Sequence, residues 1–261
     1  MSVNRHELSG PTRRSLVPGE LIDWHDHTVN QLCYPLRGVL EISTPRGVWI
    51  VPPHRAVWIP AGVPHAHRAH GATEMRSLVF AQAVNPLRLD RPTVLAADPL
   101  LREVIAALSE GQDAHGTPVP DTAPDLDARQ RRHLEQVALD RLRRVEELPF
   151  SLPAPRDDRL RAVALILAEN PADERSLTEL GRAVGASERT LSRLFRTELG
   201  MTFPHWRGQL RLRRALTLLA AGDSVTTVAG DCGFRSPSAF IDAFRRAFGT
   251  TPGRYREEAR G

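Results

Sequence analysis

The chain of 261 residues has 41% hydrophobic and 25% charged residues, a composition typical of a soluble globular protein with one large domain or two ordinary ones. Its polar first residues exclude a signal peptide, and no run approaches the ~18 apolar residues that a membrane span requires. The two cysteines, Cys33 and Cys232, lie far apart and favour a reducing compartment, so we expect a cytoplasmic protein without a membrane partner.

Charge is unevenly distributed along the chain. The formal net charge is +4, and all 35 basic residues are arginine. A high arginine content is the expected result of a GC-rich genome and does not by itself indicate nucleic-acid binding. Acidic and basic residues balance over residues 1–156, however, so the positive excess lies in residues 157–261. This asymmetry indicates a polyanionic partner for the C-terminal part.

The first part of the chain has the pattern of β-structure. Residues 1–15 are polar, and we expect a flexible N-terminus there. From Leu16 to Phe80, short apolar runs such as VLEIST, VWIVP and AVWIP are separated by glycine and proline. Evenly spaced short strands of this kind predict a small barrel or sandwich over residues 16–82.

Residues 83–148 change to helical periodicity. A first helix is predicted between Asp98, which can cap it, and Gly111. A second helix is predicted from about Leu126 to Leu148, with an apolar stripe formed by Leu134, Val137, Ala138, Leu142 and Val145. The stripe fits either packing on its own domain or the surface of a homodimer. Residues 149–157 contain three prolines and predict a linker.

The C-terminal part contains an internal repeat. Ser176 begins SLTELGRAVGASERTLSRLFRTELG, and Ser224 begins SVTTVAGDCGFRSPSAFIDAFRRAFG. Residues at matching positions are similar in the two segments: Leu177 and Val225, Leu180 and Val228, Gly181 and Ala229, Gly185 and Gly233, Phe195 and Phe244, and Gly200 and Gly249. Two copies of one structural unit are therefore predicted.

Each copy has the pattern of a helix-turn-helix. Gly185 and Gly233 can adopt the positive φ of the sharp turn, and Ser187 and Ser236 stand where an N-cap belongs. A helix of about 18 residues, ending at Gly222, joins the copies and spans roughly 27 Å at 1.5 Å per residue. Second helices at that separation can reach successive major grooves, which lie roughly 34 Å apart.

The second copy resembles the signature of the AraC/XylS-type transcription regulators. The matching residues are Gly233-Phe234, Ser236, Phe240, Phe244-Arg245, Gly249, Thr251-Pro252 and Tyr255-Arg256. The resemblance covers residues 158–256, with Gly181 where the family usually has alanine. It implies an all-α DNA-binding domain with two helix-turn-helix units, whose partner is double-stranded promoter DNA.

The outer faces of the two second helices supply the candidate DNA contacts. They are Arg189, Thr190, Ser192, Arg193 and Arg196 in the first unit, and Arg235, Ser236, Ser238, Ala239, Ile241, Asp242 and Arg245 in the second. Arginine bound to guanine through two hydrogen bonds is the commonest specific contact, so Arg189 and Arg193 are predicted to contact bases or, alternatively, phosphates only. Asp242 would repel phosphate, which predicts fewer base contacts by the second unit.

The stretch WHDHTVNQL contains candidate residues for a metal or ligand site. In a strand, His25 and His27 would point to one face, because side chains alternate with a period of two. The spacing of the following residues resembles the two cupin motifs: Gly19, His25, His27, Gln31 and Gly38, then Pro60, Gly62 and His65. The resemblance covers residues 19–65. It implies a cupin-like barrel with His25, His27, Gln31 and His65 as candidate ligand or metal residues, and His67 is a further candidate.

One departure from the cupin pattern leaves the chemistry of this site open. Gln31 replaces the usual glutamate, so a bound divalent cation would lack one compensating negative charge. The histidines fit three alternatives: a site for Zn²⁺ or a similar metal at His25, His27 and His65, a metal-free pocket for an organic effector, and packing alone.

The predicted fold class is a multidomain α and β protein, with an N-terminal cupin-like β-barrel, following helices and a C-terminal all-α double helix-turn-helix domain. The predicted function is a sequence-specific DNA-binding transcription regulator, not an enzyme, whose cupin-like domain senses a small molecule or metal. Resemblance implies that ligand binding biases the arrangement of the DNA-binding domains. The alternative is a metal-dependent cupin oxygenase or isomerase fused to a DNA-binding domain, with Asp23 as a nearby acid or base.

Overall fold

The computed structural model describes residues 3–8, 10–111, 113, 126–144 and 151–260. The chain forms two compact units, with the main boundary near residue 148.

The N-terminal unit is built on one mixed, mostly antiparallel β-sheet. Its strands are β1 (Asn4–Arg5), β2 (Thr12–Leu16), β3 (Leu21–Asp26), β4 (Asn30–Thr44), β5 (Gly47–Val51), β6 (Arg55–Ile59), β7 (His65–Phe80) and β8 (Thr93–Ala96). The main path runs β1-β3-β7-β4-β5, while β2 also pairs with β7, and β6 pairs with β4 and β8. Among the described residues this path does not return to its start, so the predicted barrel is an open sheet.

The two long strands bend past one another at a glycine. β4 and β7 pair antiparallel over most of their length, and the register shifts on both sides of Arg37. Gly38 follows with φ +71, and a Cβ there would lie 2.3 Å from Thr73 Oγ1 and 2.6 Å from Ala72 O. Only glycine fits this close approach of β4 to β7.

The N-terminal segment that was predicted to be flexible contributes two strands to the sheet. β1 pairs parallel with β3, with Asn4 opposite His25, and β2 pairs antiparallel with β7, with Thr12 opposite Ser77. Strand pairing uses backbone groups, so a polar segment without an apolar run can still join a sheet edge. The prediction of a flexible segment over residues 1–15 is therefore wrong for the residues in β1 and β2.

Two helices follow the sheet, α1 (Pro99–Ser109) and α2 (Ala128–Arg141). Asp98 caps α1 by accepting from Leu101 N, as predicted, whereas α2 is shorter than predicted because Leu142 is its C-cap. Val145 and residues 114–125 lie outside the described residues. Leu134, Val137, Ala138 and Leu142 all pack in the core shared with α1 and the sheet. This part of the apolar stripe therefore packs on its own domain.

The C-terminal unit is helical apart from one short strand. It contains β9 (Ser151–Pro153), α3 (Asp158–Glu169), α4 (Leu177–Ala183), α5 (Glu188–Leu199), α6 (Phe203–Ala221), α7 (Val225–Asp231), α8 (Pro237–Phe248) and α9 (Pro252–Arg260). Of the predicted linker, residues 149 and 150 lie outside the described residues, and β9 occupies the next three. The helix pairs α4–α5 and α7–α8 are the two predicted repeat copies, and α6 joins them.

Local features of the helix-turn-helix copies agree with the sequence pattern. Gly185 and Gly233 have φ of +68 and +71. Ser187 caps α5 by accepting from Thr190 N, and Ser236 caps α8 by accepting from Ala239 N. A Cβ at Gly181 would lie 2.4 Å from Ala186 O in the turn between α4 and α5, so this close approach of the backbone leaves no room for a side chain.

Candidate functional site

Four buried histidines meet where β3 and β7 pair. His25 on β3 is opposite His65 on β7, and β7 also carries His67 two residues further on. The ring centroids of His25 and His65 are 4.2 Å apart, and those of His65 and His67 are 5.0 Å apart. His27 follows β3, with its ring centroid 5.0 Å from that of His65. The antiparallel register thus brings together residues that are 40 positions apart in the chain.

Backbone carbonyl groups orient three of these rings. The Nδ1–H groups donate to carbonyl oxygens two residues away: His25 to Asp23 at 2.7 Å, His27 to Val29 at 2.7 Å and His65 to Val63 at 2.8 Å. Because a carbonyl oxygen only accepts, each neutral ring keeps its lone pair on Nε2. Metal-binding histidines are usually held by an outer hydrogen bond of this kind.

Burial keeps the four rings uncharged. It is the main cause that lowers the pKa of His25 to about 4 and that of His65 to about 3. The pKa of His27 and that of His67 are lowered for the same reason. Imidazole therefore presents neutral nitrogen donors at neutral pH.

Two buried nitrogens of the cluster lack a hydrogen-bond partner among the described residues. They are Nε2 of His65 and Nδ1 of His67. One nitrogen from each of His25, His65 and His67 lies within 4.8 Å of the other two. Three neutral nitrogen donors at this separation fit Zn²⁺ or another metal of borderline softness. The three histidines whose nitrogens lie close enough to share a metal differ from the predicted ligands, because His67 takes the place of His27.

The position of Gln31 explains this difference. Its Oε1 lies 3.2 Å from Nε2 of His27, and its Nε2 lies 3.3 Å from Oγ of Ser77. Both ring nitrogens of His27 are thus engaged. A neutral ring has one N–H, and His27 already donates it to the carbonyl of Val29. Its Nε2 must therefore accept, so the Gln31 amide is best oriented with its NH₂ group donating to the ring.

Further residues around the cluster have no motif of their own in the sequence. His6 stacks on His25 with ring centroids 4.2 Å apart. The buried Asn30 accepts from Ala61 N at 3.0 Å, and it donates to the carbonyl of Val84 at 3.0 Å, so it fixes the turn before His65. The signal for His67 was present, because His65 and His67 alternate as His25 and His27 do.

In the C-terminal unit, α5 separates an apolar face from an arginine face. Leu191, Leu194 and Phe195 are buried. Arg189, Arg193 and Arg196 are exposed, whereas Thr190 and Ser192 are half-buried. None of the three arginine side chains forms a hydrogen bond or ion pair with another described residue. Their guanidinium groups are therefore available to an external partner.

The corresponding surface of α8 carries less charge. Asp242 and Arg245 are exposed, Ile241 is half-buried and Arg235 is exposed just before the helix. The first turn exposes three small residues, Ser236, Ser238 and Ala239. Ser236 already accepts Ala239 N at 3.2 Å, so its side chain has a capping role. The apolar face of α8 buries Phe240, Phe244 and Phe248.

Comparison with known proteins gives the class of the two units. Residues 13–81 match the family described as a cupin domain, and residues 180–258 match the family described as a helix-turn-helix domain. None of the helices among the described residues combines the length and apolar character needed to cross a bilayer. The fold and the matched families define a protein with a cupin domain followed by a DNA-binding helix-turn-helix domain.

The sequence relatives narrow this class. The chain is 34% identical over 234 residues to the HTH-type transcriptional regulator NimR of Escherichia coli (strain K12). The aligned region covers 88% of this chain and 81% of NimR. The chain is also 46% identical over 101 residues to the HTH-type transcriptional regulator RipA of Corynebacterium glutamicum. That aligned region covers 39% of this chain and 30% of RipA. The chain belongs to the AraC family of helix-turn-helix transcriptional regulators and is a DNA-binding transcription regulator.

A similar solved structure is an AraC-type transcriptional regulator from Chromobacterium violaceum. It is 30% identical, has a TM-score of 0.37, and the match covers 39% of this chain and 92% of that chain.

Proposed function

We propose that the N-terminal unit is a metal-dependent sensor that controls DNA binding by α5 and α8. The observation that carries the proposal is the group of His25, His65 and His67, which offers one nitrogen from each buried ring within 4.8 Å of the others. The protein acts in the cytoplasm as a regulator rather than as an enzyme.

The energetics of the unpartnered nitrogens favour an occupant. A buried polar atom without a hydrogen bond costs about 1–3 kcal/mol. Nε2 of His65 and Nδ1 of His67 both carry this cost. A cation bound between the rings satisfies both atoms and, with nitrogen ligands, is best matched by Zn²⁺ or a similar metal.

The proposed ligands are His25, His65 and His67, and His27 has a supporting role. Gln31 occupies Nε2 of His27, so these two residues line the site and orient the effector rather than hold the metal. Among the described residues, this group of ligands contains no carboxylate that could neutralise a divalent cation. A small-molecule effector with a lone pair or a negative charge completes the coordination.

DNA binding is assigned to the outer faces of α5 and α8. Arg189 and Arg193 contact bases, and Arg196 contacts the backbone, together with Thr190 and Ser192. On the second unit the contacts are made by Arg235, Ser236, Ser238, Ala239, Ile241 and Arg245, with Asp242 limiting phosphate contact. The partner is double-stranded promoter DNA, and two copies of the chain bind it as a homodimer.

Sensing requires that the effector bind one arrangement of the chain more tightly than another. A tenfold change in DNA affinity needs a difference of about 1.4 kcal/mol between the two arrangements. A ligand that binds both arrangements equally shifts nothing, however tight it is.

The direct test is metal binding by the full chain. The protein is stripped with a chelator and titrated with Zn²⁺ against a chromophoric competitor. We expect one Zn²⁺ per chain, lost in His25→Ala and in His65→Ala and kept in His70→Ala. His70 is the matched control because it lies on the same strand but pairs with Glu41 at 3.0 Å.

Two results would redirect the proposal. Failure of the wild-type chain to bind Zn²⁺, Fe²⁺, Mn²⁺ or Ni²⁺ would overturn the metal site and leave a metal-free pocket for an organic effector. Oxygen consumption or isomerase turnover by the metal-loaded chain would instead support the alternative of a cupin enzyme fused to a DNA-binding domain.

A further inference from the structure

One guanidinium group in the C-terminal unit joins two parts that are distant in sequence. Arg211, near the middle of α6, donates from Nε to Pro171 O at 2.9 Å and from Nη2 to Asp173 O at 3.3 Å. Its Nη1 donates to Gly233 O at 2.8 Å. Pro171 and Asp173 lie in the loop before α4, whereas Gly233 lies in the turn before α8. One side chain thus links the entrance of the first helix-turn-helix to the turn of the second.

The turn at Gly233 lies directly against this guanidinium. A Cβ at Gly233 would lie 2.7 Å from Nη2 of Arg211, 2.9 Å from its Cζ and 2.8 Å from Cα of Ala172. The backbone has φ +71, which also favours glycine. Glycine is therefore required both for the sharp turn and for the close contact with Arg211.

The loop on the other side of Arg211 is itself held in place. Asp173 is paired with Arg175, whose Nη2 donates to Oδ2 at 2.6 Å. The backbone N–H of Arg175 also donates to Oδ1 at 2.8 Å, and that of Asp173 donates to Asn170 O at 3.1 Å. Arg211 therefore connects the turn before α8 to a fixed point and not to a loose loop.

Each helix-turn-helix copy has apolar contacts that do not involve Arg211. The first packs Leu191, Phe195 and Trp206 in one cluster. In the second, Phe244 contacts Tyr255 with ring centroids 5.5 Å apart. Loss of Arg211 leaves these contacts intact and removes hydrogen bonds that relate the two copies.

We propose that Arg211 is a positioning residue that sets α8 relative to α5 and thereby sets the spacing between the two DNA segments that the chain recognises. The inference rests on the proposed contact of both helices with DNA. Arg211 contacts no base in this account, and it acts through the carbonyl of Gly233. The required spacing is a property of the pair of helices, so it is lost when the link is lost, even though each helix keeps its own contacts.

The first experiment measures spacing with DNA that the wild-type full chain selects from a random library. Probes carry the selected site, the same site with one or two base pairs inserted between its two segments, or a single segment. In Arg211→Met, we expect at least tenfold weaker binding of the selected site and less than twofold discrimination between spacings. Binding of single segments stays within twofold of wild type. Arg214→Met is the matched control, because Arg214 is exposed on the same helix.

The outcomes separate the inference from the proposed function. Equal loss by Arg211→Met on single segments and on the full site would overturn a positioning role. Retention of wild-type spacing discrimination would overturn it as well. Absence of any spacing preference in the wild-type chain would instead overturn the proposed contact of both helices with DNA.

A second measurement needs no DNA and tests Arg211 alone. Spin labels are placed at Thr197→Cys on α5 and Arg246→Cys on α8, both exposed positions. Cys33 and Cys232 are fully buried and escape labelling. Electron–electron double resonance on full chains diluted with unlabelled protein should give one narrow distance in the wild type and a broadened distribution in Arg211→Met. Arg211→Lys should fall between them, since one ammonium group cannot bond to all three carbonyls. An unchanged distribution in Arg211→Met would overturn the inference.

Discussion

His25 on β3 lies directly opposite His65 on β7, and the centroids of their imidazole rings are 4.2 Å apart. The antiparallel register produces this contact, because it aligns the start of β7 with the end of β3. His67, two residues after His65, faces the same side of β7. The strand pairing therefore brings together His25, His65 and His67, the histidine group proposed to hold the metal, without any contribution from His27.

The relative importance of His67 and His27 can be measured by zinc affinity. His67→Ala removes a proposed ligand, so we expect a loss of at least about 100-fold. His27→Ala removes a supporting ring that is not a ligand. We expect zinc affinity to fall by about tenfold, the lower end of the ~10–100-fold loss that is typical when an outer hydrogen-bonding partner is removed. Competition with a chromophoric chelator measures both. The reverse order would restore His27 as the ligand and contradict the ligand set proposed for this chain.

Arg193 offers a test of base recognition. Arg193→Ala should cost about 1–3 kcal/mol at one base pair and flatten the preference there, because a bidentate contact with guanine is lost. Titrations on singly substituted versions of the selected site measure the effect. Arg182→Ala is a matched control, because Arg182 is an exposed arginine on α4. Uniform weakening across all substituted sites would assign Arg193 to phosphate.

Gly38 should be among the least replaceable residues of the sheet. Alanine at Gly38 adds a contact of 2.3 Å with Thr73 Oγ1 to the strain of φ +71. At Gly19, alanine meets only the strain of φ +83, since nothing lies within 4 Å. We expect Gly19→Ala to cost about 1–2 kcal/mol and Gly38→Ala about 1–3 kcal/mol more.

Urea unfolding followed by tryptophan fluorescence measures this difference, because three of the four tryptophans, Trp24, Trp49 and Trp58, lie in the N-terminal unit. Equal midpoints for the two variants would show that β4 and β7 separate easily at Gly38, contrary to the close approach of the two strands there.

The helix-turn-helix copies were predictable in detail because their determinants are local. A positive φ at Gly185, a cap at Ser187 and an apolar stripe along α5 each follow from residue type within one or two helical turns. The repeat strengthened the prediction, because two independent copies agreed.

The histidine group was only partly predictable because it depends on pairing between distant strands. The alternation of His25 and His27 predicts a common side for the two rings, but alternation cannot show that Gln31 engages His27. Strands β1 and β2 were missed for a similar reason, since their pairing uses backbone groups and leaves little apolar signal. Whether the sheet closes depends on the bends of β4 and β7, and these arise from tertiary contacts such as Gly38 with Thr73.

The most direct test of the central claim is the effect of zinc on DNA affinity in the full chain. The dissociation constant for the selected site is measured with chelator and with saturating Zn²⁺, in the wild type, in His65→Ala and in His70→Ala. We expect the dissociation constant to change at least tenfold in the wild type and in His70→Ala, and less than twofold in His65→Ala, whose DNA affinity without metal stays at the wild-type value. A wild-type affinity that does not respond to Zn²⁺, or a response that survives His65→Ala, would contradict control of DNA binding by the histidine group.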